Sequence, residues 1–441
     1  MSNAVEAITK NSSLKNKLLF TLGMLAIYRI GVQVPSPGLD GAAVMSFFQS
    51  QSGGLFGLFN TFTGGALERF SIFALGVMPY ISASIIFQIL QAAVPSLEAM
   101  KKEGPAGQKK ISQYTRYATI LLCFVQGYAM ANWMASESSP DGSPLVITPM
   151  FGFVPFQVVT IMTLTAGTCF LMWIGEQITE RGIGNGISLI IFAGIVSGIP
   201  GGAAALWKQV SSGEMAALVA FILLAGMVGV ISFIIFMEVA QRRLPIQHSQ
   251  RGTGRQAMQQ PTSHLPLKLN FANVIPPIFA SSLLMFPATM TQFFDSPWLV
   301  SLQQSFMPTG ALYNIIFIGL VVFFCFFYTE IVFNPKDVAE NLKKQGGFIP
   351  GVRAGNSTAE YIKRVLDRLT VVGAIYLSAV CIMPTIATEA LKVPFYFGGT
   401  SVLIMVGVAL DFVQQVQTHI LSSKYEGLMK NMRVRGRRVR Y

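Results

Sequence analysis

The residue types that carry enzymatic chemistry are thinly spread along this chain and never form a working constellation. There is no GxxxxGK[ST] phosphate loop, no HExxH pair and no GxSxG elbow, and the GIGNG at 182–186 lacks the strand and the downstream acid of a dinucleotide site. Cys123, Cys169, Cys325 and Cys381 sit in apolar stretches without paired spacing, as small packing residues do. No catalytic residue, cofactor or metal is therefore expected. Glu176, Glu238, Glu330 and Asp411 lie toward one end of their apolar stretches, and Arg29 is the one buried-looking cation. An ion-coupled transporter or ion channel would set ionisable or polar groups at mid-membrane. The middle here is aliphatic. Val77 and Ile81 are four apart, as are Ile187 and Ile191, so each pair shares a helical face; Ile278 follows Pro276-Pro277, and Ile404 lies in the last apolar stretch. Periodicity alone reads all of these as packing or lipid-facing residues.

The elements that must hold them are membrane helices. The chain is 52% hydrophobic and 12% charged, which suits a molecule whose solvent is mostly lipid. Ten apolar stretches stand out, at 18–34, 73–94, 115–135, 153–175, 183–199, 215–238, 271–293, 311–333, 369–387 and 398–417. Of 32 lysines and arginines, 28 fall on one alternating set of loops and tails; the other set holds only Arg69, Lys208 and Lys392. The positive-inside rule makes the basic set cytoplasmic, and an even number of crossings brings both termini to that side. The net charge of +12 is thus first a topology signal. The polar start, MSNAVEAITKNSSLKNK, shows no small-residue cleavage site behind the first stretch, so no removable leader is expected.

Several stretches are irregular. Gly184 and Gly186 open a short fifth span, Pro79 stands near the start of the second, and Pro276-Pro277 interrupts the seventh. The second and seventh are each the second member of a five-helix half, and matched irregularity points to an inverted repeat with a pathway between the halves. Proline is also common in membrane helices generally. Residues 55–70, LFGLFNTFTGGALERF, are too short and polar to cross, and Gly64-Gly65 should stop a helix. They read either as a plain outer loop or as a short segment tucked into a cavity mouth, with Asn60, Phe62, Gly64 and Gly65 at its tip, and sequence physics alone prefers the loop.

Six segments carry a resemblance. GGALERFSIFALGVMPYISASIIFQIL, KKEGPAGQKKISQYTRYAT, GEQITERGIGNGISLIIFAGIVSGIP, HLPLKLNFANVIPPIFASS, FCFFYTEIVFNPKDVAENLKKQGGFIPGVRAG and KVPFYFGGTSVLI together resemble the bacterial SecY family of protein-conducting channels, in the family's order and over nearly the whole chain. The resemblance implies an all-α integral membrane protein, ten transmembrane helices in two inverted five-helix halves around a central hourglass pore. It implies a pore ring of Val77, Ile81, Ile187, Ile191, Ile278 and Ile404, whose branched apolar side chains close around any polypeptide and dewet when empty. Position 77 is valine where relatives often carry isoleucine, one methylene less. It implies a plug at Asn60, Phe62, Gly64 and Gly65, and a lateral gate that includes Ser82, Gln88 and Phe286.

The resulting division is a cytoplasmic segment at 1–17, a first half at 18–200, an external hinge loop at 201–214, a second half at 215–417 and a basic tail at 418–441. Two cytoplasmic loops, 241–268 and 334–368, read from composition as water-bathed topology determinants; the resemblance makes them docking surfaces for the ribosome and its rRNA or for the ATPase SecA, through Arg243, Arg251, Arg255 and Arg353. Arginine's planar fork suits phosphate or carboxylate alike. The tail could set topology, touch anionic lipid or touch rRNA. Further partners implied are the small subunits SecE and SecG, SecDF and YidC, signal peptides and nascent chains, in a bacterial plasma membrane. The competing reading is a solute transporter on an inverted repeat, which the lack of a central charge disfavours.

Overall fold

The computed structural model describes residues 12–50, 55–138, 142–248, 263–290, 310–391 and 398–433. Each of the ten apolar stretches carries a helix. Ser12–Val32 is α1; the short helices Gly41–Ser50 (α2) and Leu55–Thr63 (α3) precede Met78–Ala93 (α4) and Pro95–Lys102 (α5). Pro105–Ser136 (α6), Phe156–Arg181 (α7), Gly186–Ser212 (α8) and Ala217–Val239 (α9) follow. Ile275–Met290 (α10), Ala311–Val332 (α11), Pro335–Lys344 (α12), Asn356–Leu391 (α13) and Gly399–Arg433 (α14) complete the helices. Among the described residues α6, α7, α8, α9, α11, α13 and α14 are long and apolar enough to cross a membrane; α4 and α5, bent by 98° at their junction, pass the same criterion together, as a broken span or a re-entrant loop would.

Helix boundaries follow the residues. Pro79 and the Pro276-Pro277 pair sit in the first turns of α4 and α10, where a missing N–H costs nothing. The pair therefore starts the seventh membrane helix instead of interrupting it. Residues 73–77, expected within the second span, run as turns before α4 begins. α8 continues through Ser212, past Pro200 and across most of the expected hinge loop, because Ala203, Ala204, Ala205 and Leu206 are strong helix formers. α13 begins at Asn356, thirteen residues ahead of its apolar stretch.

Contacts divide the chain into two units: residues 1–84, 109–204 and 404–441, and residues 85–108 and 205–403. In the first, Val44, Phe47, Phe48, Leu67, Phe70, Leu75, Met134, Leu145, Phe156 and Leu164 form a buried cluster. Trp133 meets Phe47 and Phe48 edge-on at 5.6 and 5.9 Å, the geometry aromatic quadrupoles favour. A hairpin of Met150–Phe151 (β1) and Val154–Pro155 (β2) leads into α7.

The second unit holds the departure from an all-helical expectation. Gln241–His248 (β3) pairs antiparallel with Ser263–Lys268 (β4) and with Gly347–Phe348 (β5), in the order β4-β3-β5. The two basic loops are thus one structure. Leu244, Ile246 and Leu267 alternate inward against Leu342 of α12, Ile349, and Ile362 and Val365 of α13, while Arg242 and Arg243 are exposed. Above it, Glu238 at the end of α9 is buried and accepts a hydrogen bond from Asn270 Nδ2 at 2.8 Å; the same amide reaches Asn273 O at 2.9 Å.

Candidate pore site

Four of the six ring candidates stand on two arms of the first unit. Val77 lies at the entrance of α4, not inside it, and its carbonyl accepts from Ile81 N–H at 3.0 Å, so the two still span one turn. Both are buried, at 4% and 7% exposure. The second arm is α8, whose first amides are all taken up. Ile183 N–H donates to Thr21 Oγ1 at 3.1 Å, Gly184 N–H to Gln415 Oε1 at 2.8 Å and Gly186 N–H to Thr179 Oγ1 at 2.9 Å. Asn185 Oδ1 caps the helix through Ile187 N–H at 3.2 Å. A Cβ on Gly186 would fall 1.9 Å from Gly175 O, so only glycine lets α7 and α8 approach this closely. This pins Ile187 and Ile191. Ile191 is buried and Ile187 half-buried. Ile404, on α14, is fully buried; Ile278, in the first turn of α10, is half-buried and belongs to the second unit.

The plug candidates form the end of α3. Where sequence physics prefers a plain loop, Leu55–Thr63 is a helix, and Gly64-Gly65 stops it as glycine should. Gly64 and Gly65 have φ of +66° and +85°, Gly64 N–H donates to Thr61 O at 3.3 Å and Gly65 N–H to Asn60 O at 3.0 Å. That is a Schellman close, available to glycine without strain. Asn60 then locks the return: its Oδ1 accepts from Glu68 N–H at 3.1 Å while its Nδ2 donates to Glu68 Oε2 at 3.2 Å. Phe62 is 5% exposed.

Three residues that sequence reasoning did not assign to the site hold this end. The Tyr28 hydroxyl donates to Thr63 O at 3.1 Å, and Arg29 Nη1 donates to Gly64 O at 3.0 Å. Gly194 of α8 lies against the same turn: a Cβ there would sit 3.2 Å from Phe62 O and 3.3 Å from both Gly64 N and Tyr28 OH. The one available cue was Arg29 itself, a cation inside an apolar stretch. On the other side, a Cβ on Gly76 would meet Thr63 Cγ2 at 2.9 Å. The end of α3 therefore touches the residue before Val77 and the helix that carries Ile191.

The gate and docking candidates are more dispersed. Ser82 and Gln88 are both half-buried on α4, but six positions turn a helix by about 240°, so they do not share a stripe. Phe286 lies on α10, its side chain outside the described residues. Arg243 on β3 is exposed, and so is Arg353, whose carbonyl accepts from Thr358 Oγ1 at 2.8 Å in the turn before α13. Arg251 and Arg255 fall outside the described residues.

A SecY family model matches residues 71–413, more than half of the chain. The protein translocase subunit SecY of Escherichia coli strain K12 is 48% identical over 427 residues, covering 96% of this chain and 95% of that one. The chain belongs to the SecY family. Its fold is also that of SecY-type channels of known structure. One, described as showing that the SecY plug domain stabilises the closed state and maintains a membrane seal, matches with a TM-score of 0.63 at 20% identity over 92% of both chains. Another, Sec61 in a canine ribosome-channel complex from the endoplasmic reticulum, matches at 0.61 and 19% over 92% of both. As a SecY-family member the chain is a multi-pass membrane protein with a transport role, not an enzyme.

Proposed function

We propose that this chain is the channel subunit of a bacterial protein translocase, passing unfolded polypeptides across the plasma membrane and releasing apolar segments sideways into lipid. The family match over nearly the full length carries the reading, and within one unit the contacts of the end of α3 with Gly76, the residue before Val77, and with Gly194, on the helix that carries Ile187 and Ile191, support it. The ring is completed by Ile278 and Ile404. Aliphatic side chains suit a conduit that must pass every sequence, since they yield to a threading chain without binding it and exclude water when they meet. Asn60, Phe62, Gly64 and Gly65 end the plug, and Ser82, Gln88 and Phe286 line the gate, where polar groups ease the parting of the seam. A gated segment then partitions by its own transfer free energy, central leucine favouring lipid by about 0.3–0.6 kcal/mol and a central charge opposing it by about 2.5–3.5.

Energy comes from partners, SecA or the translating ribosome, docking on Arg243, Arg251, Arg255 and Arg353, with SecE and SecG as companions. Both termini are cytoplasmic, as the 28 cations on one set of loops and tails support. The test is reconstitution with SecE, SecG, SecA and ATP: a secretory precursor should cross, and a stalled precursor should crosslink to probes at Ile278 and Ile404. Absence of both crosslinks in a complex that still translocates would discard the ring.

A further inference from the structure

We infer that Tyr28 and Arg29 of α1, with Gly194 of α8 as the floor, are a latch that holds the end of α3 by its backbone and sets the resting seal. The inference rests on reading α3 as the plug. The Schellman close uses the carbonyls of Asn60 and Thr61 within the segment. Those of Thr63 and Gly64 point outward, and they are the two that Tyr28 and Arg29 take, at 3.1 and 3.0 Å. The guanidinium also faces a helix C-terminus, where the peptide dipoles favour a cation. Tyr28 is 2% exposed and stacks on Phe73 with ring centroids 6.1 Å apart, so its hydroxyl is held in place.

The floor explains why the latch matters to the ring. Ile187, Ile191 and Gly194 are spaced i, i+4 and i+7 on α8 and so share one stripe, with Gly194 about one turn beyond Ile191. A seated α3 end therefore abuts the ring-bearing face, and a lifted one leaves it. Lifting breaks both hydrogen bonds and leaves a half-buried guanidinium short of an acceptor, which is costly in an apolar setting and favours return once the passing chain has gone.

The experiment measures resting ion conductance of the full chain, reconstituted with its companion subunits in planar bilayers without precursor. Arg29→Gln and Tyr28→Phe should each raise it, Arg29→Gln by about tenfold or more, as loss of a charge-assisted hydrogen bond predicts. Arg29→Lys, which keeps a charged donor, should recover much of the seal. In a chain lacking 55–63, already leaky, Arg29→Gln should add nothing. The latch is overturned if deletion of 55–63 raises conductance while Arg29→Gln and Tyr28→Phe stay at the parent level, or if Arg29→Gln raises it equally in the deleted chain. If the deletion itself leaves the resting conductance unchanged, the plug reading fails first and the latch with it.

Discussion

At the scale of single residues, the proposed pore ring works by how little each side chain offers. Val77, Ile81 and Ile191 are buried and aliphatic, so a serine at Ile81 and Ile191 together trades dewetting surface for hydroxyls that hold water. The double variant should raise resting ion leak in planar bilayers, and an unchanged conductance would count against the ring. Gly64 gives a second prediction: alanine there meets a φ of +66° and Gly194 Cα 2.6 Å from its Cβ, so the turn cannot close as it is. Gly64→Ala should unseat α3 and raise protease sensitivity at 55–65 while total membrane insertion stays normal. These positions differed in legibility. Gly64-Gly65 as a helix stop was readable because glycine's cost is local; Ile187 and Ile191 were visible as a pair but, in a membrane helix, indistinguishable from packing residues. Gly194 carried no sequence cue, since its role is defined by a neighbour 130 positions away.

At the scale of elements, the ten apolar stretches were legible because a lipid-spanning segment must be apolar along its whole length, but the starts of α4 and α10 were not, since Pro276-Pro277 was expected to interrupt a helix it begins. The small sheet was not. β3 and β4 contain Pro245 and Pro266, which speak against strands, and their inward residues number only a few; the alternation around Leu244 and Ile246 is hidden among arginines. β5 is two residues long and is a strand only by pairing with β3 across roughly a hundred positions of sequence. Leu267 is wholly buried in the cluster that joins these loops, so Leu267→Ala should destabilise the cytoplasmic sheet by about 2–5 kcal/mol. Hydrogen exchange should show faster opening of 241–248 and 263–268 with the membrane helices unaffected. Equal protection in both proteins would mean that the sheet is held elsewhere.

For the whole molecule, the charge distribution assigns work to sides. The exposed Arg243 and Arg353 stand on loops joined by one sheet, so the docking surface proposed for them is a single body. If the ribosome is bound through rRNA, replacing either arginine with alanine should weaken binding and reduce the slope of log K against log salt by roughly 0.7–0.9 for each phosphate no longer neutralised. SecA binding should show a shallower slope and a smaller change. Reporter fusions at residues 17 and 433 should both mark the cytoplasm; a periplasmic signal from either would overturn the topology argued from the cations.

A clasp that grips Thr63 and Gly64 through their main-chain oxygens is blind to what the preceding turns spell. The clasp alone therefore places no demand on the side chains of the proposed plug. A replacement for α3 should still close the proposed pore if it coils, keeps an apolar ring at Phe59 against the buried cluster, and ends in two glycines facing Tyr28 and Arg29.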